Sequence, residues 1–401
     1  MMSTPLPQGF RAAGLHCGIK KDPAILDLSL FVSDLPATSA GVFTQNRVCG
    51  APVKVSRERI RRTTSRAVVI NSGNSNACTG EQGIADARWM TGLVAEQLQC
   101  AAEDVAVCST GVIGRFLPKE KLAAGIPQIV PQLAATPEAF ELAARGILTT
   151  DTCVKMATRT LQIQGQTVRI SGCSKGAAMI GPNMATMLCV IMTDGVLTVS
   201  EADQTLRHAV DRSFNSISVE GHTSTSDTVL LLANGAAFGG RGSPLNATDL
   251  AQFQQALDEV AADLAMAIIS DAEGATHIVT IDVQGCRTRE EALRIAKTVA
   301  DSALVKTAIH GADPNWGRIV SAAGYSGVDL YEEHISLKVN GIPLYQAGTP
   351  LPFDATAASK SIRENRDTHI ELDLTLGTAA VRYWTSDLTA EYVRLNADYT
   401  T

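Results

Sequence analysis

Charge, aromatic surface and paired cysteines are all scarce in this 401-residue chain, and each shortage excludes something. Charged residues are 19%, against ~25% in an average soluble domain. Lys+Arg 34 against Asp+Glu 41 gives −7 with no run of one sign, so a nucleic-acid groove or a polybasic membrane anchor has no support. The nine cysteines are odd in number and never form a CxxC pair. Zinc ribbons and redox dithiols therefore lack a basis, and free thiols in a reducing cytosol are expected. Met1 to Pro7 holds no basic region followed by an apolar stretch, so no signal peptide is expected. Gly176 to Thr193 is uncharged and long enough to suggest a membrane segment, but Gly181, Pro182, Asn183 and Thr186 interrupt it; a buried segment fits better. G-x-x-x-x-G-K-[ST], H-E-x-x-H and G-x-S-x-G are all absent, and Gly239-Gly240-Arg241-Gly242 lacks the strand-to-helix setting of a dinucleotide fingerprint. What remains is chemistry done with hydroxyls and backbone donors.

What is present is an apolar share of 45%, enough for a large core. The length suits two or three domains or one large one, and no break in composition marks a boundary. Strand and helix patterns alternate. Val68 to Ile70 reads as a strand and Ile84 to Cys100 as a helix. Leu161 to Ile163 and Val168 to Ile170 read as a hairpin around Gln164-Gly165-Gln166. Ser200-x-x-Asp203 resembles a capping box, and Thr288-x-x-Glu291 opens another helix. Leu250, Phe253, Leu257, Val260 and Leu264 define an amphipathic helix. Ile335 to Val339 leads into the hairpin dipeptide Asn340-Gly341, and Ile370 to Leu374 with Val381 to Tyr383 suggests a second hairpin around Gly377. Strands with one wet face between amphipathic helices favour a layered α+β architecture over a doubly wound parallel sheet.

Four polar clusters carry the candidates for chemistry. In Ser109-Thr110-Gly111-Val112-Ile113-Gly114, a hydroxyl beside a backbone N–H suits an oxyanion hole; an ordinary turn is the alternative. Thr149-Thr150-Asp151-Thr152 offers a polar ligand site or an Asx-type turn. In Lys175 to Leu188, Thr186 is surrounded by Met, Ala and Leu. Cleavage of the Ala185–Thr186 bond would give Thr186 an α-amine of pKa about 7.7–8.0, a base adjacent to its own hydroxyl. The alternative is a core-strand threonine. The fourth cluster, Gly221-His222-Thr223-Ser224-Thr225-Ser226-Asp227-Thr228, reads as a polar turn feeding a buried strand rather than a triad, since triad members are rarely sequence neighbours. Lys175 and Arg318 suit a substrate carboxylate, or are surface charges.

Taken in order, these clusters resemble the ornithine acetyltransferase (glutamate N-acetyltransferase) family. The likeness runs through Ser109 to Gly114, Thr149 to Thr152, Lys175 to Asp194, Asp313-Pro314-Asn315-Trp316-Gly317-Arg318 and the tail Tyr392 to Thr401, and so spans essentially the full chain. It implies a layered α/β sandwich of mixed sheets flanked by helices, similar in chemistry to N-terminal nucleophile hydrolases but differently connected. It also implies self-cleavage between Ala185 and Thr186 into chains 1–185 and 186–401, which form one catalytic unit and assemble as a heterotetramer of two of each. Thr186 is then the nucleophile and Thr110 and Gly111 the oxyanion donors; Thr152, Lys175, Thr186, Glu273, Asn396 and Thr401 bind substrate. The chain departs from the family pattern at Ala177-Ala178, where Ser-Gly is usual. It departs again at Glu220-Gly221-His222-Thr223-Ser224-Thr225-Ser226-Asp227, where Asp-Gly-Asp-Thr-Ser-Thr-Asn-Asp is usual.

The expected function is transfer of acetyl from N-acetylornithine to glutamate in cytoplasmic arginine biosynthesis. No metal or cofactor is expected, and acetyl-CoA is a second candidate donor. The alternatives are a self-cleaving amidohydrolase or aminopeptidase using Thr186, and a non-catalytic binding protein, which would remain a single band on a denaturing gel.

Overall fold

The computed structural model describes residues 4–181, 187–240 and 244–398. The first sheet opens with β1 (Phe10–Leu15), β2 (Leu28–Phe43), β3 (Ser65–Asn74), β4 (Val105–Val112), β5 (Lys155–Ile163), β6 (Gln166–Lys175) and β7 (Leu188–Thr193). The short β8 (Ile217–Ser218) belongs to a second sheet, and β9 (Thr228–Ala233) completes the first. Its order is β4-β3-β2-β9-β7-β6-β5, with β1 also on β2. The 16-residue β2 pairs with β1 through residues 28–33, with β3 through 28–32 and again at Ala37, and with β9 through 38–43. Pro36, which has no N–H to donate, falls in the register shift of the β3 ladder, between Val32 and Ala37.

Both halves of this sheet contribute to one core. Phe31, Val68, Ile70 and Cys108 from one half and Cys173, Leu188, Val190 and Leu230 from the other share a buried cluster with Phe140 and Ala143. The outer faces take helices. Helices α1 (Ala51–Arg59), α2 (Gly80–Leu98) and α3 (Lys119–Ile129) cover β2, β3 and β4, and α4 (Pro137–Gly146) supplies Phe140 and Ala143. Helices α5 (Val199–Arg212) and α6 (Ala247–Ser270) cover β5, β6, β7 and β9. β7 and β9 are thus buried along their whole lengths, with no wet face.

The second sheet holds β8, β10 (Ile278–Cys286), β11 (Ile335–Val339), β12 (Ile342–Gln346), β13 (Thr349–Pro350), β14 (Asp367–Leu374) and β15 (Ala379–Ser386), in the order β13-β12-β11-β14-β10-β15-β8. Helices α7 (Arg289–Asp301), α8 (Ala303–His310), α9 (Trp316–Gly324) and α10 (Ala355–Arg363) accompany it, and α11 (Ala390–Asp398) ends the described chain. Here the strands do alternate: every second residue of β14 is buried.

The expected α/β sandwich of mixed sheets is present, and most local signals hold. The β5–β6 hairpin turns at Gln164-Gly165 and the β11–β12 hairpin at Asn340-Gly341, with all four residues at positive φ. Two expectations need correction. The capping box of α5 is Thr198 with Glu201, not Ser200 with Asp203. The second late hairpin does not form, because β10 lies between β14 and β15, parallel to one and antiparallel to the other. The chain instead crosses the end of β10, where a Cβ on Gly377 would collide with the Cys286 carbonyl. Among the described residues no helix is long and apolar enough to cross a membrane.

Candidate active site

The site begins where β3 and β4 end. Their register shifts at Gly73–Asn74, and Gly111 takes φ +126°, with Asn74 N only 2.6 Å from where a Cβ would stand. Only glycine fits both constraints. Ser109 Oγ donates to Asn71 Oδ1 at 2.6 Å, and Asn71 Nδ2 donates to the Asn74 carbonyl at 2.9 Å. The buried Thr110 is fixed between these neighbours. Its Oγ1 accepts from Lys175 Nζ at 3.3 Å. Lys175, the last residue of β6, is 2% exposed, and burial pulls its ammonium below the ordinary lysine range despite Asp151 nearby.

Charge beneath the site is organised by a second buried lysine. Lys155 Nζ lies 2.6 Å from Asp151 Oδ1 and 2.6 Å from Asp271 Oδ2. Burial alone would lower its pKa; Asp151 and Asp271 reverse that and raise it. Burial likewise pushes Asp151 up, but Lys175, Lys155 and the Gly176 N–H at 2.6 Å outweigh it and hold the carboxyl low. Thr152 donates from both its backbone N (2.9 Å) and its hydroxyl to Asp271.

The end of α6 and the start of the tail close another side. Glu273 N donates to the Ala177 carbonyl at 2.9 Å, and Asn396 Nδ2 donates to Glu273 Oε2 at 3.0 Å. Gly274, at φ +67°, lets α11 approach so closely that Tyr392 N is 2.5 Å from the place of a Cβ. Burial, then Glu220 and Glu273, push the Tyr392 phenol up to about 12.

The last wall is the stretch before β9. Val219 and Gly221 both donate to the Ile180 carbonyl, at 2.8 and 3.1 Å. Glu220 Oε2 accepts from Met179 N at 3.1 Å, and Met179 adopts φ +57°. Asp227, fully buried, accepts from Met187 N at 3.1 Å; burial drives its carboxyl well above the usual range. These walls enclose a cavity of about 240 Å³. Thr110, Gly111, Lys175, Glu220, Glu273 and Asn396 line it, joined by Thr149, Thr150, His222 and Tyr392.

The ArgJ family model matches residues 11–401. The chain belongs to the ArgJ family. It is 44% identical over 396 residues to the "Arginine biosynthesis bifunctional protein ArgJ" of Rhodopirellula baltica, covering 99% of this chain and 96% of that one. The protein of the same name from Geobacter sulfurreducens is 44% identical over 397 residues, covering 98% and 99%. Among solved structures, the ornithine acetyltransferase of Mycobacterium tuberculosis complexed with ornithine is 37% identical, covering 45% of this chain and 96% of that one at a TM-score of 0.41.

Of the residues expected to act in this ArgJ-family chain, Thr110, Gly111, Lys175, Glu273 and Asn396 meet in the one cavity. Thr152 does not line it; it borders an adjoining hollow that shares Thr150 and Glu273. Ala185, Thr186 and Thr401 lie outside the described residues. Arg318 is elsewhere, on α9, donating to the Leu304 carbonyl at 3.0 Å. The segment 222–227 is a polar stretch feeding the buried β9, as expected. Sequence reading did not single out the Lys155–Asp151–Asp271 group, although Asp151 stands in the second cluster and Asp271 lies two residues before Glu273. It also left Glu220, Tyr392 and Asp227 without roles. Their signal was position alone: Glu220 and Asp227 bracket the fourth polar cluster and Tyr392 begins the tail, which marks place but not direction. Among the described residues no group of three or more His, Cys, Asp or Glu is placed to hold a metal ion.

Proposed function

We propose that this chain is an N-acetylornithine:glutamate acetyltransferase of arginine biosynthesis, acting in the cytoplasm through an acetyl-Thr186 intermediate. The shared cavity carries the reading: five residues expected from separate parts of the sequence line it together. Its wall also includes Ala178 and Met179, just before residues 182–186, and Ser226, beside the Asp227 that binds Met187.

In the proposed sequence the precursor first cleaves between Ala185 and Thr186. The free amine of Thr186 then takes the proton of its own hydroxyl as that oxygen attacks the acetyl carbonyl. Thr110 accepts a hydrogen bond from Lys175, which leaves its own proton available to the oxyanion, and Gly111 supplies a backbone N–H. The C–N bond breaks and ornithine leaves with the proton. The neutral amine of glutamate attacks the ester, and Thr186 regains its proton as acetylglutamate forms. One amide replaces another, so neither ATP nor a cofactor enters. Glu273, oriented by Asn396, takes the side-chain ammonium of acetylornithine, and Lys175 the α-carboxylate. Thr152 acts with them through Asp271, and Thr401 completes the substrate contacts. Chains 1–185 and 186–401 stay together and form a heterotetramer of two of each.

The test is purified protein with acetylornithine, with and without glutamate, and with acetyl-CoA in place of acetylornithine as a second donor. Glutamate-dependent release of ornithine and formation of acetylglutamate are expected. Release of acetate without glutamate would instead identify a hydrolase.

A further inference from the structure

Resting on that reading, one cavity must accept two side chains of opposite charge, the ammonium of acetylornithine and the carboxylate of glutamate. Lys175 and Glu273 offer one basic and one acidic side chain. We propose that Glu220 is the residue that lets the site serve both, binding the cationic side chain as a carboxylate and the anionic one as a carboxylic acid.

The geometry supports a carboxyl able to do this. Glu220 lines the cavity, and its Oε2 is committed to the Met179 N–H. Its Oε1 is buried and has no hydrogen-bond partner among the described residues. A buried oxygen without a partner is costly, and a substrate side chain would relieve that cost. Ionised, Oε1 accepts from an ammonium; protonated, it donates to a carboxylate. Burial pushes Glu220 up to about 7, against the pull of the Met179 N–H on Oε2. Both forms are therefore accessible near neutral pH.

Other charged groups surround it. His222 and Glu273 share the cavity, and Lys175 faces it from β6. The Asp301 carboxylate, at the end of α7, packs on Gly221. Lys306 of α8, pulled down to about 8 by burial, attracts Glu220 from behind. Tyr392 of α11 stays neutral in this range, its phenol pushed up to about 12 by burial. Lys175 and Lys306, both pulled down by burial, also gain charge as pH falls, and His222 shares the wall, so the experiment must separate all three from Glu220.

The readout is kcat/KM for N-acetylornithine divided by kcat/KM for N-acetylglutamate as alternative acetyl donors. Both donors acylate the same free enzyme, so the titration of Thr186 cancels. Their side-chain charges are constant between about pH 6 and about pH 9. In the wild type the ratio should rise about tenfold or more through neutrality, the scale set by one group changing its charge. E220Q should flatten it, while H222N should retain the rise. A flat wild-type ratio, a rise that persists in E220Q, or one lost in H222N would each overturn the assignment. Absence of acetyl transfer from either donor in the wild type would instead overturn the acetyltransferase reading.

Discussion

Thr110 and Gly111 are neighbours whose substitution should fail in different ways. Thr110→Ala removes a hydroxyl from a buried strand end without altering the backbone. The fold should survive, and kcat should fall about 10²-fold, as loss of one oxyanion donor typically produces. Steady-state kinetics beside circular dichroism checks this, and an unchanged kcat would remove Thr110 from the chemistry. Gly111→Ala attacks the backbone itself: φ +126° and the approach of Asn74 N to 2.6 Å leave no room for a methyl. It should destabilise the protein by at least about 1–3 kcal/mol, the cost of such strain, seen as a lower Tm as well as lost activity. Beneath them, Lys155→Met would leave Asp151 and Asp271 buried without their shared cation, and loss of one partner of a buried pair costs about 3–5 kcal/mol. The pH dependence follows from the directions of the shifts. Asp151 is held below its unfolded value, so its contribution is present above about pH 4 and disappears as pH falls through the folded pKa. Lys155 is held above its unfolded value, so its contribution is complete below about pH 10 and is lost only as pH rises through the folded pKa. In acid the wild type should therefore lose stability faster than Lys155→Met, and denaturant midpoints across that range measure it.

Whether an element was legible depended on how local its cause is. The β5–β6 and β11–β12 hairpins are written in adjacent residues, because Gln164-Gly165 and Asn340-Gly341 supply the positive φ their turns need. Helix α6 is written in its own period, with Phe253, Leu257, Val260 and Leu264 all buried. The pairing of β14 and β15 with β10 is not local. β10 enters from about 80 residues upstream of β14, and no turn residue records its arrival. The site follows the same rule. Family motifs led to Thr110, Lys175 and Glu273, whereas the Lys155–Asp151–Asp271 group exists only because α6 ends against the strand after Thr152. Helix α11 shows how lightly an element can be held and still matter. None of its residues is fully buried, yet Asn396 Nδ2 holds Glu273 at 3.0 Å. Asn396→Ala should leave circular dichroism and Tm almost unchanged while raising KM for acetylornithine about tenfold, the scale of one hydrogen bond to a charged group. Removal of 397–401 should act in the same direction if Thr401 contacts substrate. Unchanged KM in both variants would separate the tail from the site.

At the scale of the whole molecule, strand order governs what cleavage between Ala185 and Thr186 would do. The sheet runs β4-β3-β2-β9-β7-β6-β5. β7 and β9 come from residues 186–401, while the strands on both sides of them, β2 and β6, come from 1–185. Two strands of one product are therefore locked between strands of the other. β7 pairs with β6 through residues 188–193, and β9 pairs with β2 through 228–233. Those central strands are buried on both faces, so separating the fragments would tear the sheet and expose two cores at once. Cleavage should thus be silent in solution and evident only after denaturation. Scaling 42.3 kDa by fragment length gives roughly 19.5 and 22.8 kDa for average residue masses. A denaturing gel should show these two bands, with Thr186 as the new N-terminus. Size exclusion should show one species at equal stoichiometry that resists separation by high salt, because apolar burial rather than surface charge holds it. Thr186→Ala should give one intact band, the same elution volume and no transfer of acetyl. An active wild type that remains a single chain, or that sheds either fragment while folded, would remove the self-cleaved nucleophile from the proposed mechanism.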